Sequence, residues 1–146
     1  KGKPEYKPGV FDGKMFEEFP FIYGGEDTRA GGWFQCMANA KKTGPYTQIQ
    51  TAWPVSPKQF MFVFASALLA DAYFVVGHNN HKWFAEYDRA MKLGKPLAPP
   101  SESDEYWTRS YEHGKIIVWP YKREGRIVLF DEMDGGAAKP AGSNPK

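Results

Sequence analysis

The stretch SPKQFMFVFASALLADAYFVVG, residues 56–77, decides how this chain must fold. It opens with the clearest helix-start signal in the sequence. Ser56 is the N-cap, Pro57 takes the first helical position and Gln59 completes a capping box. Phe60, Met61, Phe64, Ala67 and Leu68 then recur at helical spacing, with Val63 and Leu69 widening the stripe. A helix so apolar all round is buried on most sides. The run AYFVVG, 72–77, follows as a short continuous strand of the kind a parallel sheet buries on both faces. Taken as one segment, residues 60–77 are at the short end for crossing a bilayer, and Asp71 interrupts them. A buried helix passing into a buried strand explains them better than a transmembrane segment.

Toward the N-terminus, YTQIQTAW (46–53) is rich in β-formers and reads as another strand. Before it, residues 28–42 place Ala30, Trp33, Phe34, Met37 and Ala40 at helical spacing. Lys41 and Lys42 suit that helix's C-terminus, and Gly44-Pro45 stops it. Earlier still, VFDGKMFEEFP (10–20) reads as a strand over about 10–17. Alternation puts Phe11, Gly13, Met15, Glu17 and Phe19 on one face, and Val10, Asp12, Lys14, Phe16 and Glu18 on the other. The mostly apolar first face ends in a carboxylate: either Glu17 marks where the strand leaves the core, or it stands at the mouth of a site.

The order β-α-β-α-β with short connections implies parallel strands joined by right-handed crossovers, an α/β fold. A short helix at 82–91 (KWFAEYDRAM) closes this unit, and the Pro-rich linker KPLAPPSES follows. The period then changes. YWTRSYE, KIIVWPY and RIVLFDE alternate and are separated by HG and REG turns, which predicts a small antiparallel sheet. The expected organisation is an extended arm at 1–9, an α/β unit at 10–92, a linker at 93–104, a small β-domain at 105–134 and a disordered tail at 135–146.

Composition narrows the class. The 146 residues suit one ordinary domain, and 42% hydrophobic with 25% charged residues excludes wholesale disorder. Aromatics make up 16%, which favours an aromatic core, a stacking surface for carbohydrate or a partner interface. A net charge of +2 with no long basic run argues against nucleic acid as a partner. The lone Cys36 excludes an intrachain disulfide and any zinc site built from cysteines. The first residue is Lys1, as a removed signal peptide (and so an exported, periplasmic or extracellular protein), a processed precursor or an incomplete sequence would each give.

The ordered set of Asp12, Gly13 and Glu17; Leu68, Leu69, Asp71 and Tyr73; Trp83, Glu86, Tyr87 and Asp88; Leu93, Gly94, Pro96 and Leu97; and Arg109, Gly114, Val118 and Pro120 carries a further signal. Over residues 10–131 it resembles the C-terminal half of (β/α)8-barrel proteins of glycoside-hydrolase type, whose last barrel strands lead into a small β-domain. The resemblance implies a partial (β/α)-barrel followed by an antiparallel β-domain. A full barrel needs eight βα units, whereas this chain supplies about three. The open strands would therefore be covered by an N-terminal half or by other protein subunits.

Barrel enzymes place their chemistry at the C-terminal ends of the strands, where Glu17 falls. Glycoside hydrolysis needs two carboxylates, about 5 Å apart for retention and about 6.5–9.5 Å for inversion. Neighbouring Glu17 and Glu18 point to opposite faces, so they cannot form that pair. The resemblance makes Glu17 the one in-barrel carboxylate of this half, with its partner upstream. The structural alternative is a strand-end carboxylate in solvent or paired with Arg29. Trp53, ending the next strand, suits a sugar-stacking platform or core packing. His78 follows the third strand and would line the same cleft. His78 and His81 in HNNH are spaced for a shared metal if a helical turn forms, but with no acidic third ligand nearby the segment reads as a polar loop. No metal or other cofactor is implied. Asp71 reads as a local cap or bridge, Cys36 as buried filler, and Arg109 as a docking residue pairing with Glu112 or Asp88.

Two functions follow. One is a carbohydrate-binding or carbohydrate-cleaving barrel completed by its N-terminal half. The other is a non-catalytic accessory subunit packed into a larger envelope or membrane-attached assembly.

Overall fold

The computed structural model describes residues 15–16, 19, 31–42, 46–51, 56–77 and 82–134. In chain order these form β1 (Met15–Phe16), α1 (Gly31–Lys42), β2 (Gln48–Thr51), α2 (Pro57–Leu69), β3 (Tyr73–Val76) and α3 (Ala85–Met91). Then come β4 (Ser101–Glu102), β5 (Trp107–Tyr111), β6 (Gly114–Trp119), a 3-10 turn at Pro120–Lys122, β7 (Glu124–Leu129) and α4 (Phe130–Asp134). The strands make two sheets: a parallel one ordered β1-β2-β3, and an antiparallel one ordered β4-β5-β6-β7. The fold is mixed α/β. The expected strand over 10–14, the arm and the tail lie outside the described residues.

Helix α2 starts as its sequence dictates. Ser56 is extended, its hydroxyl accepts the Gln59 amide at 3.2 Å, and Pro57 begins the helix. Phe60, Phe62, Val63, Phe64, Ala65, Ser66, Ala67 and Leu69 are all buried, so α2 is covered nearly all round. It packs on β2 and β3 on one side and on β6 and β7 on the other. Each buried phenylalanine contributes about 1.5–3 kcal/mol relative to exposure. Strand β7 passes so close that a Cβ at Gly125 would lie 2.4 Å from the Met61 carbonyl oxygen. The buried Ser66 hydroxyl is satisfied twice, donating to the Phe62 carbonyl (2.7 Å) and accepting from the Trp33 indole N–H (2.8 Å). Trp33 meets Trp107 edge-on at 4.9 Å, which joins α1 to β5 within one continuous core.

The parallel sheet is covered on one face. Phe16, Ile49 and Phe74 are in register and pack with the core, as do Thr51 and Val76 one step further on. The opposite face carries Met15, Gln48 and Tyr73 in register; Met15 is 45% and Tyr73 61% exposed. This corrects two expectations. Strand 72–77 is not buried on both faces: among the described residues helices cover only one, and Tyr73 on the other is exposed. Strict alternation does not run to Phe19 either: Met15 is on the open face, while Phe19 is a buried turn residue donating to the Gln50 carbonyl at 2.9 Å.

The Pro-rich stretch leads directly into the antiparallel sheet. Ser101 and Glu102 pair with Thr108 and Trp107, because Ser103 closes a tight turn: its hydroxyl accepts the Tyr106 N–H and donates to the Tyr106 carbonyl. Residues 95–97 also run beside β5, with Leu97 donating to Ser110 and Pro96 bridging Tyr111. Prolines cannot supply ladder donors, so this edge stays irregular. The FDE of RIVLFDE turns into α4, where Asp131 and Glu132 fall in the first helical turn, favourable for acidic groups.

Arg109 ties the antiparallel sheet to the end of α2, with a different partner from those expected. Only 7% exposed, it pairs with Asp71 (2.6 Å), donates to the Leu68 and Leu69 carbonyls and holds the Ala98 carbonyl through Nε at 3.0 Å. Glu112 instead accepts the Lys95 amide, and Asp88 the Trp83 indole. A guanidinium suits this place because the last carbonyls of a helix lack intrahelical donors and form its negative pole. Asp71 adopts the left-handed conformation (φ 53°), which aspartate tolerates better than most residues. Burial works against the Arg109 charge, but the Asp71 and Tyr111 interactions prevail and raise its pKa. Burial also raises the Tyr111 phenol above its ordinary 10.0, with Arg109 opposing and Asp71 reinforcing. The Tyr111 hydroxyl donates to Leu68 at 3.0 Å.

Arg109→Ala takes this donor from the Leu69 and Ala98 carbonyls, while Leu68 keeps the Tyr111 hydroxyl, and urea denaturation should show a loss of about 2–4 kcal/mol. Limited proteolysis near Pro99 and Pro100 should accelerate in the same variant. Asp71→Asn removes an ion pair whose acidic side chain is 67% exposed, so its loss should stay below about 1 kcal/mol.

The Tyr111 phenol is held neutral in the fold, so its share of stability is complete below pH 10.0 and falls as pH rises through the higher folded pKa. Urea midpoints should therefore decline above that pH. The decline should be shallower in Tyr111→Phe, which also loses about 1 kcal/mol at neutral pH with its hydrogen bond.

Candidate functional site

Adjacent parallel strands lie about 4.8 Å apart and end on the same side, so β1, β2 and β3 present one common C-terminal edge. Gln50 and Thr51 finish β2 there, and Gly77 follows β3. The Gly77 amide donates to the Thr51 carbonyl (2.8 Å), and the Phe19 amide donates to the Gln50 carbonyl (2.9 Å). The chain beyond two strands is thus fastened to the end of the middle one.

The side chains at this edge divide by face. Thr51 is fully buried on the helix side, and its hydroxyl accepts from the Gln59 amide at 3.4 Å. Gln50 shares the open face with Gln48 by alternation. Gly77 leaves room for it: an added Cβ would lie 2.9 Å from the Gln50 amide nitrogen and 3.2 Å from the Thr51 carbonyl oxygen. An amide both donates and accepts, which suits it to a hydroxylated ligand.

The three residues expected to form the site, Glu17, Trp53 and His78, lie outside the described residues, as do Glu18, Arg29 and His81. In sequence, Glu17 directly follows β1, Trp53 comes two residues after β2, and His78 succeeds Gly77. The structure brings together the strand ends that precede them. Cys36 is a buried core residue. Asp71 serves the Arg109 ion pair. Among the described residues no group of three His, Cys, Asp or Glu side chains is placed to hold a metal ion. No described helix is long and apolar enough to cross a membrane.

The local signal for Gln50 was the polar-apolar alternation of QIQT, residues 48–51. The role of Gly77 had no such signal, because it depends on the β2–β3 register.

The chain thus carries a parallel sheet with its strand ends on one edge and, after it, a separate antiparallel sheet, and its family match makes it a glycoside-hydrolase-like protein. The chain belongs to hypothetical glycosyl hydrolase family 15, whose model matches residues 5–115. That match runs from ahead of β1 into β6. No curated protein matches the chain.

Gly77→Ala should displace the Gln50 amide, the mobile end of a flexible side chain, at a stability loss of no more than about 1 kcal/mol. Side-chain amide resonances of Gln50 should shift while the melting temperature changes little.

Proposed function

We propose that this chain is the C-terminal part of a glycoside-hydrolase barrel that cleaves or binds carbohydrate once further strands complete it. The observation that carries the reading is the uncovered face of the parallel sheet, with Met15, Gln48 and Tyr73 in register and Gln50 beyond them. In a closed barrel this face would be the interior, and the strand ends the mouth. One further residue pair along β1 leads from Met15 to Glu17, so continued alternation would direct Glu17 into that mouth.

There Glu17 would supply one of the two carboxylates. It would either protonate the glycosidic oxygen or act on the opposite face of the sugar, as nucleophile or as base for water. The second carboxylate would come from a strand beyond residues 1–146. Trp53 would stack on the apolar face of a pyranose, and His78 would hydrogen-bond its hydroxyls. Gln50 supports the same role from the described edge.

In the completed protein, Glu17→Gln should abolish glycoside cleavage, by roughly a thousandfold or more for loss of a catalytic carboxylate. Glu18→Gln should leave cleavage largely intact, and both variants should melt with the wild type. Cleavage unaffected by Glu17→Gln would overturn the catalytic role and favour a non-catalytic accessory subunit. Residues 1–146 expressed alone should self-associate in light scattering, because the open face exposes Met15 and Tyr73. A monodisperse monomer would count against the need for a covering partner.

A further inference from the structure

Between α1 and the antiparallel sheet lies a cavity of about 370 Å³, separate from the strand-end edge and within the size range of small-molecule sites. Its apolar side is aromatic. Phe34 lies 6.2 Å from Trp107 and 5.6 Å from Tyr121, ring centre to ring centre. Trp107 is fixed from behind by Trp33 and along the strand by its pairing with Glu102, whereas Tyr121 is 62% exposed. The polar side is the β4–β5 turn, with Glu102, Ser103 and Asp104. The Ser103 hydroxyl is spent on the Tyr106 backbone, which leaves as acceptors on this side the Asp104 carboxylate and the Glu102 oxygen that Lys41 does not hold.

Charge selects among ligands. Lys41 lies over the Trp107 ring at 4.3 Å and pairs with Glu102, so the cation position over this indole is filled from within the chain. What remains is an exposed tyrosine face beside carboxylate acceptors. A neutral pyranose matches both, with its C–H face on the ring and its hydroxyls donating to Glu102 and Asp104.

The geometry points to this cavity as an accessory sugar-binding subsite that holds a neutral pyranose unit on Tyr121. The ligand class rests on the glycoside-hydrolase reading; the site itself uses none of Glu17, Trp53 and His78. It would hold a glycan chain at a second point, and so raise affinity through effective concentration rather than through chemistry.

The test is an NMR titration of the full chain with cellohexaose, maltohexaose and chitohexaose, following the Trp107 indole N–H. At least one of the three should shift it saturably. Tyr121→Ala should weaken that binding by roughly tenfold, and Asp104→Asn by less, with otherwise unchanged spectra. Glu17→Gln should leave the Trp107 response as it is in the wild type. The subsite is overturned if none of the three sugars shifts Trp107, or if a folded Tyr121→Ala binds as tightly as wild type. If Glu17→Gln spares cleavage while Tyr121→Ala still weakens binding, the strand-end reading falls and the subsite stands.

Discussion

Helix α2 has no polar face, and the rest of the architecture answers that constraint. A helix with Phe60, Phe62, Val63, Phe64 and Leu69 buried around its circumference cannot lie on a single sheet with one side to water. The parallel sheet covers one side, and the antiparallel sheet the other. The close pass of β7 at Gly125 and the two hydrogen bonds of Ser66 are consequences of the same enclosure. Where backbone approaches backbone, no side chain fits; where a hydroxyl is enclosed, it must be paired.

Enclosure leaves the carboxyl end of α2 as the one part needing charge. Arg109 and Tyr111, on alternate positions of β5, both reach the Leu68 carbonyl, so the sheet that covers the helix also terminates it. Asp71 completes the pair from the first residues beyond the helix. The ion pair is lopsided, with a buried guanidinium and an exposed carboxylate. Most of its value therefore lies in the carbonyls that Arg109 satisfies, with little in the salt bridge itself.

What could be read from the sequence follows the range of each interaction. The α2 start and the β5–β7 hairpins depend on neighbours within a few residues, and their signals are local; the parallel order followed from the alternation of strands and helices. The partner of Arg109 is 38 residues away, which no spacing rule reaches, so Glu112 and Asp88 looked equally suitable. Strand β4 has two residues and exists because Ser103 turns the chain back on itself. At the site, the common edge of β1, β2 and β3 was legible from element order alone. The fit of Gln50 beside Gly77 was not, since it depends on register.

The composition of the open face bears on what it is for. Tyr73, Val75 and Met15 would be poorly placed on a face made only for water. Gln48 and Gln50 would be equally poorly placed in a dry layer, where each amide requires partners for both its donor and its acceptor. Among the described residues the Gln48 amide donates to the weak acceptor sulfur of Met15, at 3.3 Å. A surface that mixes aromatic, aliphatic and amide groups in register suits an enclosed but wet space, where a hydroxylated ligand can meet both kinds of group. The barrel interior proposed for this face would be such a space near its mouth, while the same sheet turns to α2 a side that is apolar except for Thr51.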